Sequence, residues 1–298
     1  MALDAPEPAH LPVEHTIPRR YVALGLIVLA AILVGTLIVI RNFSETNDAS
    51  DVETITPAPS SLVSSITGVP TAVASAVGVT SPNSPTTPPS PTGNTSLWQS
   101  SGDGAGARPV VFFYGAEFAP YAAAERWPVI VALSRFGSFG QLGLMQSSPT
   151  TAFASTASFT FWHSTYDSVW VDLQTVERYS ELNPSGIGFT SLQTPTPRQA
   201  ASVAIYDTSD TTFPLLDIAN HYVLVGSSFS PSVLAGLSQS QIASDLAYPN
   251  SSVAQAVLAS ANEVTAAICT VTGQRPAAVC STRGVRAADA KMKIKPTA

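Results

Sequence analysis

Charged residues are scarce in this chain, and basic residues are scarcer than acidic ones. Only 11% of the 298 residues are charged, whereas about a quarter is usual for a soluble domain. The 14 Lys and Arg residues are outnumbered by 20 Asp and Glu, and the only lysines are Lys291, Lys293 and Lys295. Such a chain offers no basic face to neutralise phosphates, so its composition argues against a nucleic-acid partner.

Cysteine and histidine are also rare, with two and four residues respectively. That is too few for a Cys/His metal cluster. The sequence also has no P-loop, no dinucleotide-binding fingerprint and no Gly-x-Ser-x-Gly motif. We therefore expect no metal and no cofactor.

Residues 21–40 form a run of twenty without a charge, bracketed by Arg19-Arg20 and Arg41. About twenty apolar residues are enough to span a bilayer as a helix. A cleaved signal peptide is the alternative, but its apolar region is usually about 7–15 residues long and is followed by an Ala-x-Ala site, which is missing here. We expect a retained signal-anchor helix, with membrane lipid as the partner of residues 21–40.

The charges around this run indicate its orientation. Arg19 and Arg20 precede it, whereas Arg41 is followed by acidic residues. Because positive residues favour the cytoplasmic side, we expect a single-pass protein of the cell membrane. Residues 1–20 would be a cytoplasmic N-terminal arm, and the C-terminal domain would be extracytoplasmic.

Composition divides the rest of the chain. Residues 41–61 are read as a stalk, and 62–106 combine a helical element, interrupted near Pro70, with a spacer rich in Pro, Ser and Thr. Residues 107–282 have the composition of a folded domain, and 283–298 are predicted to be a basic, flexible tail.

The folded part alternates short apolar runs with helical patterns. Val110–Tyr114 is typical of a buried strand, and Pro120–Phe136 of a helix opened by proline. Glu125 and Arg126 are expected on the solvated face of that helix. Further strands are predicted at 159–162 and 169–176, a hairpin at 215–218 and 222–225, and helices at 196–204, 232–237, 239–246 and 252–272. This order is that of an α/β protein.

The order of strand, short loop, proline-opened helix and a later Phe-Pro before a hairpin resembles the thioredoxin fold. The tract from Gly115 to Phe139 closely resembles a membrane-anchored, thioredoxin-like family of archaea and actinobacteria, known as domain of unknown function 929. The resemblance covers roughly residues 62–280 and is also carried by 69–79, 192–196, 214–217 and 268–280. It implies an α/β, thioredoxin-like domain with extra C-terminal helices, preceded by one transmembrane helix.

The chain departs from this family where the family's chemistry would lie. The resemblance implies cysteines at Ala119 and Ala122, in the tract Ala119-Pro120-Tyr121-Ala122. Thiol–disulfide exchange needs a thiolate nucleophile, and alanine has none, whether the cysteines were lost naturally or replaced deliberately. We expect a degenerate, redox-inactive site and no catalytic residue there.

The resemblance also implies a binding groove beside this site. Pro214 matches a cis-proline that faces the loop, and the backbone next to it would pair with an extended substrate segment. Phe118, Tyr121, Phe213 and Pro214 are the candidate groove residues. The alternative is that Phe118 and Phe213 simply fill the core.

Cys269 and Cys280 are separated by ten residues and are expected to form a structural disulfide outside the membrane. The alternative makes them a reactive pair. The function expected first is therefore that of a thioredoxin-like pseudoenzyme that binds extended or unfolded envelope polypeptides. The alternatives are a thiol–disulfide oxidoreductase or isomerase acting through Cys269 and Cys280, or a structural envelope component.

Overall fold

A computed structural model of the chain describes residues 55–79, 86–100, 106–181, 188–206 and 213–293. The predicted arm, the predicted membrane span 21–40 and most of the predicted stalk lie outside the described residues. Among the residues that are described, no single helix is both long and apolar enough to span a membrane. Ser60–Thr67 and Thr71–Val77 pass that test only as a pair, across a bend of 54°.

The described chain is a mixed α/β structure. Its strands are β1 (Thr56–Pro57), β2 (Ser90–Pro91), β3 (Val110–Gly115), β4 (Ser138–Phe139), β5 (Gly143–Gln146), β6 (Ala157–Thr160), β7 (Tyr166–Asp167), β8 (Asp172–Glu177), β9 (Leu215–Ile218) and β10 (Tyr222–Val225). Its helices are α1 (Ser60–Thr67), α2 (Thr71–Val77), α3 (Pro120–Leu133), α4 (Pro197–Tyr206), α5 (Gln239–Asp245), α6 (Ser252–Val271), α7 (Ala277–Cys280) and α8 (Arg283–Lys293), with a 3₁₀ turn at Pro231–Leu234.

The largest sheet has the strand order β2-β10-β9-β3-β8. Its central strand β3 consists of VVFFYG and is buried throughout, as expected for an apolar run in the middle of a sheet. β3 runs parallel to β8 and antiparallel to β9, which forms the predicted hairpin with β10. Two smaller sheets, β1-β5-β6 and β4-β7, complete the strands.

Helix α3 lies at the centre of the helical layer. It packs against α6 and β6, and α6 in turn contacts α2 and α8. Every residue of α3 except Tyr121 is buried. Glu125 and Arg126 are fully buried, so the prediction that they lie on a solvated face is wrong. A helix covered on every side has no solvated face to offer them.

The C-terminal end differs from the predicted flexible tail. Residues 283–293 form α8, in which Val285 and Ala288 are buried. Lys291 fixes this helix, because its ammonium donates to Glu263 Oε1 at 2.6 Å and to the Thr86 carbonyl at 3.0 Å. The helical element predicted within 62–106, interrupted near Pro70, corresponds to α1 and α2, with the break before Thr71.

Candidate functional site

The Ala119–Ala122 tract lies where β3 ends and α3 begins. Ala119 is the N-cap of α3 and makes no side-chain capping bond, and Pro120 opens the first turn. Ala119 is 7% exposed and Ala122 is fully buried, whereas Tyr121 is 44% exposed. The start of a helix favours negative charge, but neither alanine carries a group that could use this field.

An aromatic cluster borders this loop. Phe118 is partly buried, stacks on Phe189 with ring centroids 4.1 Å apart, and meets Phe213 edge-on at 5.8 Å. Tyr179 lies 6.2 Å from both Phe118 and Phe213. The two phenylalanines predicted to share a groove are therefore neighbours in space, although they are far apart in sequence.

The other two predicted groove residues lie differently. Tyr121 packs edge-on against Phe153, with ring centroids 5.8 Å apart. Pro214 is buried, and the Phe213–Pro214 bond is cis. The Pro214 carbonyl accepts a hydrogen bond from the Gly226 amide at 2.7 Å. Of the four candidates, Phe118 and Tyr121 present surface, whereas Phe213 and Pro214 are buried.

A buried ion pair lies beneath the loop. Arg126 of α3 donates to Glu177 at the end of β8, from Nε at 2.9 Å and from Nη2 at 2.5 Å, and both side chains are fully buried. Glu177 Oε1 also accepts from the Phe161 amide at 3.1 Å. Gly115 makes room for the pair, because a Cβ there would lie 2.5 Å from the Phe113 ring and 3.3 Å from both charged groups.

Another buried acid, Glu117, lies in the loop itself. It is 2% exposed, and its Oε1 accepts a hydrogen bond from the Thr160 hydroxyl. Its backbone amide donates to the Tyr179 carbonyl at 2.8 Å. These bonds tie the loop to β6 and to the segment that follows β8.

Glu125 is a buried carboxyl that has no cationic partner in the part of the chain that the structure describes. Its Oε2 accepts from the amide and the hydroxyl of Ser228 at 2.7 and 2.6 Å, while Oε1 has no hydrogen-bond partner. Burial raises the pKa of Glu125 from 4.5 to about 7, and the hydrogen bonds from Ser228 and Ser227 only partly oppose this. Glu125 therefore titrates near neutral pH.

This raised pKa predicts a pH-dependent stability. The folded protein binds the proton of Glu125 more tightly than the unfolded chain, so the stabilisation is complete below about pH 4.5 and is lost as pH rises towards 7. Glu125→Gln has no proton to lose at this position, so its stability should not show this change. We therefore expect the unfolding free energy of wild type, relative to that of Glu125→Gln, to decrease by about 2–3 kcal/mol from pH 5 to pH 7.5. Urea unfolding at both pH values measures this. A difference that is equal at the two pH values contradicts it.

Cys269 and Cys280 lie at disulfide distance, with their Cα atoms 5.7 Å apart. They join the end of α6 to α7 and are 1% and 5% exposed. Among the described residues, no group of His, Cys, Asp and Glu side chains is arranged to hold a metal ion.

Sequence reasoning missed several residues of this site, namely Glu177, Phe189 and Ser228. Their partners lie far away along the chain: Arg126 and Glu177 are 51 residues apart, and Glu125 and Ser228 are 103 apart. Burial of the Glu125-Arg126 pair has one local signal, which is the apolar composition of α3 on all of its faces.

The family model "Domain of unknown function (DUF929)" matches residues 100–270, which is more than half of the chain and includes the loop, α3 and most of α6. No curated protein and no solved structure matches the chain. The chain belongs to the family of the domain of unknown function DUF929.

Proposed function

We propose that this protein is a membrane-anchored, thioredoxin-like domain without redox activity, which binds extended or unfolded polypeptide segments beside the Ala119–Ala122 loop. The observation that carries the proposal is the contact between Phe118 and Phe213. This contact places the loop next to the Phe213-Pro214 segment. The aromatic surface there is partly exposed at Phe118, and the loop residues Ala119 and Ala122 have no nucleophilic side chain.

The order of the elements supports the thioredoxin-like assignment. A buried strand, β3, leads through a short loop into the proline-opened helix α3, and Phe213-Pro214 comes directly before the β9–β10 hairpin. This is the order in which the sequence resembles that fold.

The backbone near the loop supports binding by strand addition. Among the described residues, the Phe213 backbone takes part in none of the turn, loop and cap hydrogen bonds. An extended peptide can pair with such a backbone, and neighbouring aromatic side chains then bind its side chains.

The place of action is proposed from the sequence. Residues 21–40 would cross the cell membrane once, with the N-terminus in the cytoplasm and the domain outside. The polypeptides available to the site would then be those of the cell envelope.

The burial of the two cysteines favours this function over an oxidoreductase. Cys269 and Cys280 are almost inaccessible and already lie at bonding distance. A dithiol that exchanges with substrates needs an accessible thiolate. The pair is better suited to fastening α7 to α6.

Binding of a reduced and alkylated unfolded polypeptide by the purified full chain tests the proposal. Alkylation removes thiol chemistry, so fluorescence anisotropy reports binding alone. We expect Phe118→Ala/Tyr121→Ala to weaken binding by about tenfold or more, because aromatic anchors dominate such interfaces.

Tyr248→Ala is the matched control, because Tyr248 is 63% exposed and follows α5. We expect it to leave the affinity unchanged. Tyr121→Ala alone removes an exposed ring and serves if the double variant is unstable. Binding no stronger than that of an unrelated membrane-anchored domain would refute the proposal.

A further inference from the structure

Arg135, just beyond the C-terminal end of α3, is a cation held only by neutral groups. Its Nη1 donates to Asn262 Oδ1 at 3.0 Å and to Thr265 Oγ1 at 2.9 Å, both on α6. The side chain is partly buried, and burial lowers the pKa of Arg135 from 12.5 to about 10. The surroundings therefore disfavour its charge.

No carboxylate within the described ranges lies at ion-pair distance from Arg135. Glu263, next to Asn262 on α6, is bound to Lys291 at 2.6 Å. Arg126, by contrast, is neutralised by its buried ion pair with Glu177. A guanidinium withdrawn from water without a counter-charge costs free energy, which a bound anion would offset.

Arg135 lines a cavity of about 60 Å³ between helices. Side chains of α2, α6, α7 and the segments beside them form its wall: Val69, Thr71, Ala74, Ser75, Asn262, Ala278, Val279 and Thr282. At roughly 10–15 Å³ for each water-sized probe, this space suits a guest of about four non-hydrogen atoms.

Several polar atoms of the wall can donate hydrogen bonds to a guest. Asn262 is fixed in orientation, because its Nδ2 donates to the Ala74 and Gly78 carbonyls, so its oxygen must face Arg135. Among the described residues, Arg135 Nε and Nη2 have no hydrogen-bond acceptor. Those two donors and the hydroxyls of Thr71 and Ser75 remain for a ligand.

We propose that this cavity is a binding site for a small carboxylate-type anion, of the size of acetate or bicarbonate, held by the Arg135 guanidinium. The fork of two N–H donors matches a planar pair of oxygens, and the hydroxyls of Thr71 and Ser75 complete the site. The site lies at the opposite end of α3 from the loop and does not depend on the proposed function.

Calorimetric titration of the full chain with sodium acetate at pH 7, in a background of sodium chloride at constant ionic strength, tests the site. We expect saturable binding and a rise in the thermal unfolding midpoint with acetate concentration. Arg135→Gln should bind at least about tenfold more weakly, because a charge-assisted contact is lost. In chloride alone it should unfold no earlier than wild type, since the amide can still donate to Asn262.

Two further variants make the result specific. Arg283→Gln removes the same charge from an exposed position and should bind acetate as wild type does. Ser75→Val fills the cavity, leaves Arg135 in place and should abolish binding. Acetate without effect beyond that of chloride overturns the site, and equal binding by wild type and Arg135→Gln does so too. Binding of sulfate in preference to acetate overturns the carboxylate assignment.

Discussion

Arg126→Met is expected to destabilise the protein by about 3–5 kcal/mol, because it leaves a buried carboxylate without its partner. Glu177 would keep the hydrogen bond from the Phe161 amide but lose both bonds to the guanidinium, at 2.9 and 2.5 Å. No water reaches the site to replace them, since both side chains are fully buried. The unfolding free energy from urea denaturation measures the loss.

The double variant Arg126→Met/Glu177→Leu separates the cost of an unpaired charge from the value of the pair. We expect it to recover most of the lost stability, because apolar side chains of similar volume often replace a buried ion pair at little cost. Lys293→Met breaks an exposed pair with Asp289 on α8 and should change the unfolding free energy far less than Arg126→Met does. A double variant as unstable as the sum of both single variants would contradict this account.

The variant Ala119→Cys/Ala122→Cys is expected to show disulfide reductase activity well above that of the wild type. Position 119 caps α3 and position 122 lies one turn later, so the helix N-terminus favours a thiolate at 119. That thiolate would attack one sulfur of a substrate disulfide, form a mixed disulfide with it and release the other substrate sulfur as a thiolate. The thiol at 122 would then attack the mixed disulfide, release the substrate thiol and leave an oxidised pair, which added dithiothreitol reduces again.

Reduction of a disulfide-bonded test protein, measured against the uncatalysed rate, gives the result. Ala119→Cys alone is the matched control, because a single thiol forms the mixed disulfide but cannot release the substrate by this route. Wild type sets the baseline for Cys269 and Cys280. Activity of the double variant at that baseline, with its fold intact by thermal unfolding, would show that the loop does not support this chemistry.

Sequence patterns predicted correctly those helices and strands that are determined by residues close together in the chain. The hairpin of β9 and β10 was predicted correctly, because two apolar runs flank a short turn. In the structure, Ala219 and Asn220 form that turn with φ of 55° and 62°. The start of α3 at Pro120 follows from the fixed φ of proline and its missing amide hydrogen. β5 was missed, since GLMQ has neither the length nor the alternation of a clear strand.

The candidate site could be predicted only in part, since its contacts join distant segments. Phe118 and Phe213 were named together on the strength of the family resemblance, and they do meet. Phe189, which stacks on Phe118, follows no pattern visible in its own segment. The burial of Arg126 depends on a carboxylate 51 residues later, which a helical pattern cannot supply.

The contacts of Lys291 determine when the fold can be completed. Its ammonium binds the carbonyls of Val79 and Thr86, which lie 212 and 205 residues earlier in the chain. During synthesis such a contact can form only after the 205 residues that separate Thr86 from Lys291 have been added. Helix α2, which contacts α8, is therefore synthesised long before that neighbour becomes available.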